Sequence, residues 1–215
     1  MIRTARCQRG RTLDRNLFYG YHRPVSPSFP LHHGRISLSF AGTVGDRGSK
    51  PVERLDSPAA LEEWLGAAGA GEVRGKVTAR TFARALALRE AIARTAAALV
   101  AHARPAADDI TRINAMAKSA AAHALLDPRT LSIVDDARDP VQSALGRIAR
   151  DAVELFGTPA ERERLRTCGL ASCGSIFLTP AGRRERRWCS MERCGNRAKV
   201  ASFRERSGPV PRQPA

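Results

Sequence analysis

Four cysteines near one end of this chain constrain it more than any other feature. Cys168, Cys173, Cys189 and Cys194 are spaced C-x4-C, fifteen residues, then C-x4-C. Two pairs with a short loop inside each and a hairpin-sized gap between them can bring four sulfurs to one tetrahedral point, the geometry of a closed structural zinc site. The metal binds deprotonated sulfurs, so such a centre carries net negative charge that nearby arginines can offset. One structural Zn2+ held by these four residues is the expectation.

The residues between and after the pairs predict how the module folds. In "GSIFLTPAGRRERRW", Ile176, Phe177 and Leu178 are strand formers, Pro180 to Gly182 is a turn, and Trp188 falls on a return strand, which together predict a β-hairpin. Ser190 can then cap a helix running to about Arg206. Knuckle, hairpin and helix make a treble-clef-like zinc finger. On a regular helix Arg193, Arg197 and Arg204 fall within about 40° of one another, roughly 60 to 100° from Cys194. Lys199 and Arg206 form a second basic line. With Arg183, Arg184, Arg186 and Arg187 at the hairpin end, these side chains suit phosphate oxygens and guanine edges. The competing reading is a solvated face whose arginines balance thiolate charge. Trp188 reads as a packing residue rather than a base-stacking platform, because the module has little other aromatic material.

Charge distribution favours binding at the ends of the chain. The formal charge is +15, with 32 Arg against 4 Lys in an alanine-rich background, a pairing that GC-rich coding also produces, so location matters more than the sum. Residues 1–35 hold seven bases and one acid, residues 36–160 sixteen and fifteen, and residues 161–215 thirteen and five, giving +6, +1 and +8. A polyanion is expected at the ends, above all at the cysteine module.

The middle of the chain reads as helical. "LDSPAALEEWLGAAG" predicts a helix with Ser57 as N-cap and Pro58 at its first position, and a longer one is expected from Thr78 to Ala103, stopped by Pro105. A third starts at Asp108 or Asp109 and reaches about Ala122, and a last runs from about Pro140 to Phe156 with Val141, Leu145, Ile148, Ala152 and Leu155 on one face. "RISLSFAGTV" alternates like a short strand, and "AHALLDPRTLSIVDD" like two strands about a turn. The fold class is therefore α+β: a mainly α-helical N-terminal domain with short β elements over 35–160, a zinc finger over 161–206, and unstructured ends at 1–34 and 207–215. Cys7, His22, His32 and His33 could be assembled into a second metal site, but the proline-rich segment offers no packed frame to fix them.

Several function classes find no support. No apolar run nears the roughly 20 residues that span a bilayer, and the basic N-terminus lacks the apolar stretch of a signal peptide. A reducing, cytoplasmic setting is expected. The four cysteines leave no open metal position for water, His102 and His123 have no paired acid or nucleophile in view, and "GTVGDRG" lacks the ending of a phosphate-cradling loop, so no enzyme site is expected.

"TCGLASCGSIFLT" followed by "RRWCSMERCGNRAKV" resembles the CGNR zinc finger, whose tetrad stands here as Cys194, Gly195, Asn196 and Arg197. Upstream, "DSPAALEEWLGAAG", "FARALALREAIART" and "DDITRINAM" resemble the ABATE domain that usually precedes that finger. The resemblance implies a bacterial, stress-linked transcription regulator: the finger binds DNA, and the N-terminal domain senses a ligand or mediates assembly, for instance as a homodimer. Two departures stand out. The family's L-D-F-x-N-T motif reads Leu38, Ser39, Phe40, Ala41, Gly42, Thr43 here, and the finger's polar turn is replaced by "TPAGRRE". An RNA-binding or acidic-protein-binding module and a thiolate–zinc redox sensor remain open as alternatives.

Overall fold

In the computed structural model, the described residues are 29–70, 73, 75–119, 124–131, 133–135, 139–182 and 186–207. The chain begins with a short helix α1 (Ile36–Ala41), a two-residue ladder of β1 (Val44–Gly45) with β2 (Val52–Glu53), and α2 (Pro58–Ala67). Helices α3 (Ala79–Val100) and α4 (Ala107–Ser119), hairpin β3 (Ala124–Leu126) with β4 (Ile133–Asp135), and α5 (Pro140–Gly157) follow. After α6 (Pro159–Arg162) come β5 (Leu165–Thr167), β6 (Ile176–Leu178), a π-helical turn over Met191–Gly195 and α7 (Asn196–Ser207).

Local chemistry explains the helix starts. The Ala60 N–H donates to Ser57 Oγ at 3.2 Å ahead of Pro58, and the Gln142 N–H donates to Asp139 Oδ1 at 2.9 Å ahead of Pro140. The expected face of α5 is buried throughout, with Val141, Leu145, Ile148, Ala152 and Leu155 all at 1% exposure or less. It meets Leu61, Trp64 and Leu65 of α2 and Leu88 and Ile92 of α3 in the main core, where Phe40 and Trp64 lie 5.0 Å apart. Buried Arg89 forms a bidentate pair with Glu53 at 2.7 Å and so fastens β2 to α3.

The "RISLSFAGTV" segment is not a strand. Ile36–Ala41 is helical, and Ser37 through Ala41 are all buried. Residue alternation misleads because the segment is enclosed on every side, and because its cap comes from far along the chain. The Ser37 N–H donates to Asp151 Oδ2 at 3.0 Å and its hydroxyl donates to the same oxygen, placing a carboxylate on the open helix terminus. Arg35 Nε completes the arrangement at 2.8 Å from Asp151 Oδ1.

The finger's β unit also differs from expectation. β6 pairs not with a later strand holding Trp188 but with the preceding β5, in the register Leu165↔Leu178, Arg166↔Phe177, Thr167↔Ile176. The first cysteine pair therefore sits in the loop at the tip of this ladder, where the Cys168 N–H donates to Ser175 O at 2.8 Å. Trp188 lies in a bend outside any strand.

Finger and helical domain share a second core of Leu38, Ala96, Leu155, Leu165 and Leu178. Each buried leucine there contributes about 2 kcal/mol of apolar burial. Residues 29–34, expected within an unstructured arm, are packed: Phe29, 5% exposed, enters the main core, while His33 is 1% exposed and its carbonyl oxygen accepts from the Leu178 N–H at 2.9 Å. Residues 1–28 and 208–215 lie outside the described residues. Two glycines let the backbones meet at the join. A Cβ on Gly48 would stand 1.9 Å from the Ala171 carbonyl oxygen, and one on Gly174 would stand 2.7 Å from the Gly48 nitrogen. Gly174 also has a φ of +61°, which favours glycine in its own right. Gly48→Ala is therefore expected to push the finger off its seat. Amide exchange over residues 169–178 should speed by about tenfold while α5 keeps its protection; equal protection in both proteins would show that the seam is not tight.

Candidate metal centre

The loop after β5 delivers Cys168 and Cys173, and the N-terminal turn of the last helix delivers Cys189 and Cys194. All four are buried free thiols, between 3% and 4% exposed, and their sulfurs lie within 4.8 Å of one another. Cys189 Sγ is 3.6 Å from Cys194 Sγ and 3.8 Å from Cys173 Sγ. A zinc–sulfur bond of about 2.3 Å in a tetrahedron requires sulfur–sulfur edges of about 3.8 Å, so the spacing fits zinc and is far too long for a disulfide. Phe177 is fully buried beside the sulfurs, with Leu170 and Trp188 packed against them. The centre is a structural site for one zinc ion, closed by four cysteine ligands.

Electrostatics inside the cluster explain why a dication belongs there. Hydrogen bonding from Cys168, then from Cys189 and Ser175, holds the Cys173 thiol far below its ordinary value. Hydrogen bonding with Cys168, then with Cys173, pushes Cys189 far upward, and burial followed by Cys173 pushes Cys194 up to about 12. Closely spaced sulfurs thus resist sharing several negative charges until a cation neutralises them.

Positive groups surround the centre. A cleft of about 20 Å³, room for roughly one water, is lined by Cys173, Cys189, Cys194, Arg54, Arg193 and Arg197. His32 and His33 reach it too, and with Cys189 they form a second close group of potential ligands. The frame that the sequence did not reveal is the packed segment 29–34, whereas Cys7 and His22 lie outside the described residues. Burial lowers His33 to a pKa of about 3, so its ring is neutral near pH 7. That ring stands where a side chain at position 42 would go: a Cβ on Gly42 would be 2.4 Å from His33 Cε1. The lack of a side chain at Gly42 is what leaves room for the imidazole.

The basic residues make different contacts. Ser190 caps the last helix as expected, its Oγ accepting from the Arg193 N–H at 3.3 Å, and the first turn over Met191–Gly195 is π-helical. Arg197 turns to the helical domain, pairing with Asp46 at 2.8 Å and donating to Ser172 Oγ at 3.3 Å. Arg193 is exposed at the cleft rim, Arg186 lies over Phe177 at 4.8 Å and donates to Leu178 O, and exposed Arg187 lies over Trp188 at 5.3 Å. Lys199 and Arg204 are exposed on α7, as is Arg206. Arg183 and Arg184 fall outside the described residues. Arg54, Asp46 and Ser175 carried no signal in the sequence, since only the fold brings them to the metal.

The architecture defines a class: a zinc-stapled finger seated on a helical domain. Residues 34–159, more than half of the chain, match the ABATE family, described as "Putative stress-induced transcription regulator", and residues 164–207 match the CGNR zinc finger. The chain belongs to the ABATE family and ends in a CGNR zinc finger. No curated protein matches it. Among the described residues no helix is long and apolar enough to cross a membrane.

Purified protein is expected to hold about one zinc per chain, and Cys194→Ser should lose it together with amide protection across 164–207 while α5 stays protected. Because Cys189 and Cys194 keep their protons in metal-free protein near pH 7, zinc binding should release at least about two protons per chain, and affinity should fall as pH falls. Calorimetry in buffers of different ionisation enthalpy reads this number directly. Zinc uptake without proton release would contradict the thiol assignment.

Proposed function

We propose that this protein regulates transcription by holding DNA through the zinc-organised C-terminal helix, with the N-terminal domain sensing a ligand or mediating assembly. Helix α7 carries the reading. Among its described side chains only Ala198 is even partly buried, and its bases Arg197, Lys199, Arg204 and Arg206 stand against a single acid, Glu205. A helix without a core face gains little from its own chain and is suited to a partner. Val200 and Phe203 are also exposed, at 49% and 63%, and such apolar groups can meet thymine methyls while the cations meet phosphate.

The placement of the arginines narrows the proposed contacts. Lys199, Arg204 and Arg206 are the leading phosphate ligands, with Arg187 and Arg193 flanking them and Arg183 and Arg184 nearby in sequence. Arg197 serves first to tie the finger to Asp46, because that hydrogen bond and the thiolates raise its pKa and hold it in place.

The test uses the full-length zinc protein and duplex DNA across a salt series. Affinity should fall steeply with salt, and Lys199→Ala or Arg204→Ala should each lower the log–log slope by about one across all sequences. Metal-free Cys194→Ser should lose binding. Unchanged affinity in that variant, or preferential capture of RNA or an acidic protein in competition, would overturn the reading.

A further inference from the structure

A second cavity, of about 250 Å³, lies between α1, α3 and the finger residues Gly174 to Ile176. Leu38, Val44 and Ile176 wall it with apolar groups, and small side chains at Ala93 and Ala97 of α3 leave its volume open. A dry apolar cavity of about 150 Å³ accepts benzene, so this one has room for a somewhat larger ring compound.

Its two cations are already neutralised. Arg47 is bidentate to Glu90 at 2.9 and 3.0 Å, and Arg94 is bidentate to Asp109 at 2.9 and 2.6 Å. Arg47 Nε keeps a buried N–H without a partner, but both guanidiniums already face a carboxylate, so a charged guest would compete with Glu90 and Asp109 for them while losing its hydration. Ser175 supplies the polar end. It is the uncharged polar side chain among the lining residues, and it also lines the cleft beside the metal centre.

We propose that this cavity binds a small, uncharged, largely apolar ring compound whose one polar group lies against Ser175. The guest would then touch α3 on one side and the first cysteine loop on the other, which lets occupancy act on the seating of the finger. The inference rests on the reading of the N-terminal domain as the sensing part.

Full-length zinc-loaded protein is titrated with indole and with 1-naphthol by calorimetry in the absence of DNA, with benzoate as the charged comparison. Both neutral probes should bind with Kd below about 1 mM, and benzoate at least about tenfold more weakly. Ala97→Leu, at an exposed position on α3, and Ala93→Leu fill the space; each should weaken indole by about tenfold while zinc content and Tm are kept. Indole should perturb the amide resonances of Gly174 and Ser175 and slow zinc transfer to a chelator by about threefold, an effect absent in Ala97→Leu. Lack of binding by both neutral probes, equal binding of benzoate, or indole affinity unchanged in well-folded Ala97→Leu would overturn the proposal. Loss of DNA binding with ligand binding intact would instead overturn only the transcriptional reading.

Discussion

The order of the C-terminal finger, residues 164–207, depends on four sulfurs that repel one another unless a cation lies between them. Apart from the cysteines, the finger's own core consists of Phe177 with Leu170 and Trp188 beside it, far too little apolar surface to order a segment of this size. The metal supplies the missing cohesion, and its charge decides what else can stand nearby. Thiolates in excess of the dication favour Arg54, Arg193 and Arg197 around the centre, so arginines that would otherwise be solvent-facing become part of its surroundings.

The finger is also held from outside. The leucines of β5 and β6 complete a core begun by α1, α3 and α5, and the Gly48–Gly174 contact brings the two backbones together where any side chain would intrude. Arg197 and Asp46 close the same seam with a charge pair. The finger and the helical domain are therefore mechanically joined, with the apolar cavity and the cleft beside the metal both lying along the join and sharing Ser175. A change at the helical side of this seam has a short path to the cysteine loop.

How much was legible in the sequence follows from the range of each interaction. Ser57–Pro58 announces α2 because capping is a matter of neighbouring residues, and the face of α5 is visible because helical burial repeats along the chain. Helix α1 was not legible, because the carboxylate that caps it belongs to Asp151, 114 residues away. β5 is three residues long and includes Arg166, too short and too polar to stand out, and it becomes a strand only by pairing with β6.

The sequence by itself determined the metal ligands and the family, since thiolate chemistry and cysteine spacing are local properties that survive any arrangement of the rest. It also determined that the C-terminal region is strongly basic. Which of those bases face outward was decided by the tertiary structure. Asp46 claims Arg197 across 151 residues, and Phe177 claims Arg186. Ion pairs and cavities arise from groups distant along the chain, and neither periodicity nor spacing carries information about them until the cores that bring them together have formed.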